Sequence, residues 1–294
     1  MRCSRVLPLL LLLAVRVAQA DPAGDATKAF TAFVNATAAG SATPGLALFV
    51  TPFPGDQPVP ADLGPVKQLL DKPRVKVTHV ALSKGGKSAW LVSEITAKVP
   101  RNGKRKAEAL RASALLGLEG GDWRVKATQW SATTPNERTD RCGMMDLEWQ
   151  LTGDVPKELV APVTDVIAAF GAMPAIEDSP FGGDRAPLTK LISDDPGAVV
   201  IGSAPGERFV GGKAIKALFQ KWNVTAGGAD PDDKGPRARA GAGPDGELMW
   251  MYFATALHAQ CTEYRTFAVL AKQAAGWRIV HQHYARHIAG SAHE

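Results

Sequence analysis

The feature that most constrains this chain is that its two halves repeat one another. The later half contains Leu248-Met-Trp-Met-Tyr-Phe-Ala-Thr-Ala-Leu-His258, then Thr262-Glu-Tyr-Arg-Thr-Phe-Ala-Val-Leu-Ala271, then Gly276-Trp-Arg-Ile-Val-His-Gln-His-Tyr-Ala285. The earlier half answers with Ser88-Ala-Trp-Leu-Val-Ser-Glu-Ile-Thr-Ala97, then Ala109-Leu-Arg-Ala-Ser-Ala-Leu-Leu-Gly-Leu118, then Asp122-Trp-Arg-Val-Lys-Ala-Thr-Gln-Trp-Ser131. Arg111 stands twelve residues before Trp123, and Arg265 twelve before Trp277. From the tryptophan of the first block to that of the third is 33 residues in the first half and 27 in the second, a difference that the loop Arg101-Asn-Gly-Lys-Arg-Lys106 absorbs. A fixed order of matching blocks means that one supersecondary unit has been used twice, which settles more about the fold than any single motif does.

Each block reads as a strand, by its length and its Val, Ile, Thr, Trp and Tyr content. Turn residues bound the blocks: Lys84-Gly-Gly-Lys87, Asn102-Gly103, Glu119-Gly-Gly-Asp122 and Gly241-Ala-Gly-Pro-Asp-Gly246. Upstream, the apolar period becomes helical. Leu159, Val160, Val163, Val166, Ile167 and Phe170 share a helix face before Gly171, and Phe30, Phe33 and Val34 do so before Gly40. A second helix is expected in each half, on Ile215, Leu218, Phe219 and Trp222 and on Leu63, Val66 and Leu70, with a short strand at Ala198 to Ser203. Each half is thus helix, short strand, helix and three long antiparallel strands, an α+β layer with helices on one face of a curved sheet. The stretch Gly227 to Gly246 reads as a loop that could cover the mouth of a cone formed by the second half, or as a plain surface connection.

Met1 to Ala20 has the form of a removable secretory signal. Arg2 and Arg5 precede the apolar run Val6 to Val15, and Ala18-Gln19-Ala20 supplies a cleavage site after Ala20. We therefore expect a periplasmic or secreted protein, without a membrane span after signal removal. The chain's formal charge of +5 includes Arg2, Arg5 and Arg16 of that segment, leaving 5 − 3 = +2. The one dense basic cluster, Lys98 to Arg111, reads as a solvated hairpin tip, and no nucleic-acid partner is expected. Cys3 falls in the signal. Cys142 and Cys261 are compatible with one disulfide closing a loop of more than 100 residues, worth about 4 to 5 kcal/mol in the chain-entropy model; two separate thiols are the alternative.

At this point the residues resemble a known family, the nuclear-transport-factor-2-like superfamily in its SnoaL-like branch. The resemblance rests on Glu158 to His287, in particular Val200-Ile-Gly-Ser-Ala-Pro-Gly-Glu-Arg-Phe-Val-Gly-Gly-Lys-Ala-Ile-Lys-Ala-Leu-Phe-Gln-Lys-Trp222 and the strand ending Gly276 to Ala285. The first half keeps the tryptophan blocks and resembles the same fold in degenerate form. The resemblance implies two tandem cone-shaped domains, over 24–131 and 157–289 with a connection over 132–156, each a set of helices on a curved sheet around an apolar pocket. It also implies pairing of the two sheets within one chain.

For the site, alternation places His281 and His283 on one face of the last strand, Trp250, Tyr252 and His258 on one face two strands before, and Glu263 and Arg265 together between them. If these faces line the second cone, Trp250, Tyr252, His258, Glu263, Arg265, His281 and His283 are its ligand-binding residues. The first half has Ala127 and Gln129 where His281 and His283 stand, so any activity belongs to the second. Three readings follow. A buried His or acid could move a proton in an apolar pocket, as in the family's isomerases, lyases and hydrolases, but the acids of this half (Asp178, Asp184, Asp194, Asp195, Asp230, Asp232, Asp233) lie mostly in loops. His281 and His283 could join His258 or Glu263 around zinc, yet two histidines without a fixed third ligand make a weak site. The third reading, which we adopt, is noncatalytic: the histidines are hydrogen-bonded walls of a pocket that takes a small apolar ligand or serves assembly, with no cofactor implied. Gly85-Gly-Lys-Ser88 is a turn rather than a phosphate loop, and there is no nucleophile elbow and no zinc-protease helix.

Overall fold

The computed structural model describes residues 21–41, 47–50, 70–101, 104–132, 155–171, 185–221, 224–226, 238–257 and 262–286. Helix α1 (Pro22–Ala39) begins where Asp21 accepts a hydrogen bond from the Gly24 N–H and Pro22 fills the first turn; it ends at Gly40, whose left-handed φ of 78° no β-carbon favours. Its face of Ala26, Phe30, Phe33 and Val34 is buried. That face lies on a five-stranded sheet of β1 (Ala47–Val50), β2 (Asp71–Leu82), β3 (Ser88–Arg101), β4 (Lys104–Glu119) and β5 (Asp122–Ala132), ordered β1-β5-β4-β3-β2. A turn of 3-10 helix (Lys157–Leu159) then leads into α2 (Val160–Gly171), followed by α3 (Ala186–Leu191) and α4 (Gly212–Phe219). These cover a second sheet of β6 (Val199–Ile201), β7 (Arg208–Val210), β8 (Val224–Ala226), β9 (Ala238–Ala242), β10 (Leu248–Leu257), β11 (Thr262–Gln273) and β12 (Gly276–Arg286), ordered β7-β6-β12-β11-β10-β8 with β9 also on β10.

The last two long strands of the two sheets keep one register. Ala47 pairs in parallel with Ala127, and Val199 in parallel with His281, 154 residues beyond Ala127. The β4–β5 ladder slips by one residue between Leu115 and Leu116, and the β11–β12 ladder slips at the matching pair, Val269 and Leu270. A shared β-bulge is a geometric commitment that chance strand pairing would not place twice.

The structure adds strands that the sequence reading lacked. A fourth strand flanks each meander: β2 in the first half, and β9 in the second, within the stretch read as a loop. Ala238 and Ala240 are buried there, and Gly241 lets the strand close on Trp250, whose ring would lie 2.7 Å from an added β-carbon. The helix expected on Leu63, Val66 and Leu70 lies almost wholly outside the described residues, as do Trp222 and the signal segment. So do Cys142 and Cys261 of the expected disulfide. No described helix is long and apolar enough to cross a membrane.

Each sheet has an inner core against its helices. The first gathers Phe30, Leu91, Ile95, Ala112, Leu116 and Trp130; the second gathers Val163, Phe170, Phe219, Met251, Phe253 and Leu270. A third apolar cluster joins the sheets' other faces: Trp90, Val92, Leu115 and Ala127 from the first, and Val199, Trp250, Tyr252, Phe267, Val269 and Val280 from the second. The sheets thus pack face to face across a seam. At one end the turn between β9 and β10 docks on the turn between β2 and β3. The Asp245 carboxylate accepts from the Ser83 and Ser88 hydroxyls at 2.5 Å each, and the Gly85 N–H donates to Glu247 at 2.6 Å. Burial works against the Asp245 charge, but the two hydroxyls and the Glu247 and Lys87 N–H groups outweigh it and lower its pKa. At another point Arg111 donates to the carbonyls of Gly202 and Ala204, 2.7 Å each, and Arg208 donates to the Thr78 hydroxyl at 2.6 Å.

Candidate functional site

The expected pocket residues divide according to the bulge. Along β12, Trp277 and Ile279 belong to the helix side. Opposite Val269 and Leu270 the ladder steps from His281 to Ile279, so Val280 is the inserted residue. Beyond it the alternation is inverted: Val280, His281 and His283 turn to the seam, while Gln282 and Tyr284 turn to the helices. The placement of His281 and His283 in the second cone is therefore corrected by one residue of strand geometry. Trp250 and Tyr252 share a face, as alternation requires, but that face is also the seam. Glu263 and Arg265 are on β11, in register with Ala256 and Ala254; His258 lies outside the described residues.

In the seam the imidazoles form one directed chain of hydrogen bonds with the first half. His281 Nδ1 is 2.8 Å from the Val199 carbonyl, an acceptor only, so Nδ1 carries the proton. In the neutral ring Nε2 is then an acceptor, and the Ser113 hydroxyl, 2.8 Å away, donates to it. Ser113 Oγ in turn accepts from His283 Nδ1 at 3.0 Å, which leaves His283 Nε2 to accept from the Ser131 hydroxyl at 2.7 Å. Gln129 donates to the His283 carbonyl at 2.7 Å, and the Tyr252 hydroxyl donates to the Thr128 carbonyl at 2.8 Å. Every donor meets an acceptor when both rings are neutral.

The surroundings enforce that neutrality. His281 is 1% exposed and His283 is fully buried. Desolvation lowers the His281 pKa to about 3; His79 and Arg208 push it the same way and the Val199 carbonyl opposes them. Burial, then His281, then Arg111 hold His283 well below the ordinary histidine range. Trp90 stacks on His281 at 5.0 Å, and meets His79 in a tilted contact at 4.5 Å. His79 was not singled out by sequence; burial lowers its pKa too. No group of three or more His, Cys, Asp or Glu side chains poised to hold a metal occurs among the described residues.

The helix side of the second sheet presents a different surface. Phe170 meets Phe253 at 5.2 Å and Phe219 at 6.1 Å, both edge-on, and Phe219 meets Tyr284 at 6.4 Å. Into this aromatic group the strands bring Thr266, in register with Tyr284, and Gln282, in register with Ala268 and Val200. The Tyr284 hydroxyl donates to Gln282 Oε1 at 3.2 Å, and burial raises the phenol's pKa well above its usual value. Gln282 is fully buried, yet its Nε2 has no hydrogen-bond partner among the described residues. This amide was not found from sequence.

The SnoaL-like domain model matches residues 182–288. No curated protein matches the chain. Similar solved structures include a protein with unknown function of the DUF3225 family from Pectobacterium atrosepticum, at 20% identity over 45% of this chain and 92% of that one, TM-score 0.30. Others are an NTF2-like protein of unknown function from Pseudomonas putida (16%, 45% and 89%, TM-score 0.32) and a ketosteroid isomerase-like protein from Erwinia carotovora atroseptica (20%, 39% and 92%, TM-score 0.28). The matched stretch runs from α3 to β12, so it is this part of the second half that is similar to a SnoaL-like domain.

Proposed function

We propose that this chain is an exported, noncatalytic protein of two paired nuclear-transport-factor-2-like halves, whose second half holds one small, largely apolar molecule against the helix side of its sheet. The observation that carries this reading is the Gln282 amide, buried beside the Tyr284 hydroxyl with its Nε2 unpartnered among the described residues. An orphaned buried donor costs about 1 to 3 kcal/mol. A water answering it would itself need two to four polar partners, and the residues in register with Gln282 on the neighbouring strands are Ala268 and Val200. The oxygen of an otherwise apolar ligand answers the donor at lower cost. The neutral state of His281 and His283, both engaged in the seam, supports a noncatalytic role, because neither is placed to exchange a proton with a molecule on the helix side. The first half then acts as the second sheet's permanent partner. Export rests on the Met1 to Ala20 segment.

Native mass spectrometry of the protein purified from its own host tests this, in the wild type and in Gln282→Leu. The wild type is expected to carry a small molecule that denaturation releases, and the variant, equally folded by circular dichroism, to have lost it. A wild-type chain without an adduct, or a variant that keeps one, overturns the reading.

A further inference from the structure

We infer that the first half holds a ligand of its own, a neutral and largely apolar molecule whose acceptor oxygen meets the Trp130 indole on the helix side of the first sheet. This site does not depend on the one at Gln282. Trp130 is 1% exposed and packs with Phe30, Leu91, Ile95 and Leu116 on the side that α1 covers. An indole nitrogen can only donate, and Trp130 Nε1, buried there, has no hydrogen-bond partner among the described residues. The buried hydroxyls of this half donate elsewhere: Thr37 to the Phe33 carbonyl at 2.9 Å, Ser93 to the Ala112 carbonyl at 3.4 Å, and Thr128 to the Ser113 carbonyl at 2.8 Å. A buried donor left unpaired is costly, and an acceptor supplied from outside the chain removes that cost.

The repeat supplies a second, independent sign. Ladder pairing sets Ser93, Ala112 and Trp130 in one row across β3, β4 and β5, and the matching row of the second half is Phe253, Thr266 and Tyr284. The first half thus has a serine and an alanine where the second has a phenylalanine and a threonine, so less side chain stands on the sheet beside Trp130 than beside Tyr284. The second half also answers its own ring, because the Tyr284 hydroxyl donates to Gln282 Oε1. The parallel pairings of β1 with β5 and of β6 with β12 put Thr128 at the place of Gln282, and its hydroxyl is directed to the Ser113 carbonyl instead.

These surroundings select the chemistry of the occupant. A water at the indole would need two to four polar partners, and the residue beside Trp130 in the row is Ala112. No Lys, Arg, Asp or Glu is buried among the described residues, so nothing there would offset the desolvation of a carboxylate or a phosphate. The acceptor is therefore neutral, the oxygen of a ketone, an ester or an ether on an apolar body.

The test is NMR on the full chain labelled with nitrogen-15 and carbon-13. The Trp130 indole signal is the one that Trp130→Phe lacks or, should that variant not fold, the one in through-space contact with the Ala112 methyl. Acetophenone is the probe, and ethylbenzene, of similar shape without the oxygen, its control. Acetophenone should move the Trp130 indole hydrogen downfield along a saturable curve, and ethylbenzene should not. Read at the Ala112 methyl, acetophenone should bind roughly threefold or more weakly in Trp130→Phe. Gln282→Leu, in the other half, should leave the curve at Trp130 within about twofold of wild type. An indole that ignores acetophenone, or answers ethylbenzene equally, overturns the inference. So does a long-lived water at the indole hydrogen that acetophenone leaves in place. A response at the Gln282 amide alone overturns this site and leaves the second half's standing, whereas a response at Trp130 alone supports this site and tells against the other.

Discussion

Acid should weaken this fold through the seam, and the share that comes from His281 can be worked out. In the unfolded chain its imidazole titrates near 6.5, and in the folded chain near 3. Between those values the unfolded state binds a proton that the folded state does not, so stability is complete above pH 6.5 and falls as pH drops towards 3. From pH 7.5 to 5 the unfolded ring gains its proton across about 1.5 pH units, which at ~1.36 kcal/mol per unit amounts to about 2 kcal/mol from this one ring. His283 is depressed in the same direction and adds to the loss. Against a total of 5 to 15 kcal/mol for an ordinary protein, that is easily read by urea unfolding at the two pH values. His281→Asn keeps a donor for the Val199 carbonyl but removes the titration, so its loss between pH 7.5 and 5 should be smaller than wild type's by about 2 kcal/mol, whatever its absolute stability. Equal acid losses in the two proteins would refute the reasoning.

Two further outcomes follow from close contacts. Gly241→Ala places a β-carbon 2.7 Å from the Trp250 ring; because that ring is packed into the seam, the substitution should cost about 1 to 3 kcal/mol, seen as a lower melting temperature. Asp245→Ala removes the acceptor of both the Ser83 and Ser88 hydroxyls and should cost about 1 to 2 kcal/mol, with faster hydrogen exchange at the Ser88 amide and unchanged exchange at His283, at the seam's centre.

How much of this was legible depended on whether it followed from periodicity. The repeat, the strands of each meander, the helix of Val163, Val166 and Phe170, and the shared faces of Trp250 with Tyr252 and of His281 with His283 are all products of spacing. The side on which those faces fall is not, because one inserted residue inverts every later side chain and Val280 looks like any other strand residue. A signal was present nonetheless. Trp123 and Trp130 are seven residues apart, as are Trp277 and Tyr284, and an odd interval cannot put both aromatics on one face of a regular strand. All four nevertheless pack on the helix side, which requires a bulge between them. His79 and Gln282 had no comparable mark, since a lone imidazole and a lone amide acquire meaning only from neighbours brought by other strands. Strand β9 was hidden by its Ala and Gly content, which reads as a loop until Trp250 is seen against Gly241.

The account stands on the two seam imidazoles being neutral and directed, and nitrogen-15 NMR of the histidine rings reads that directly. Both rings should show a protonated Nδ1 and an unprotonated Nε2 at pH 7, and should keep that pattern when the pH is lowered to 5. A ring carrying its proton on Nε2, or an imidazole that titrates near 6.5 in the folded protein, would contradict the seam and return the histidines to an open site.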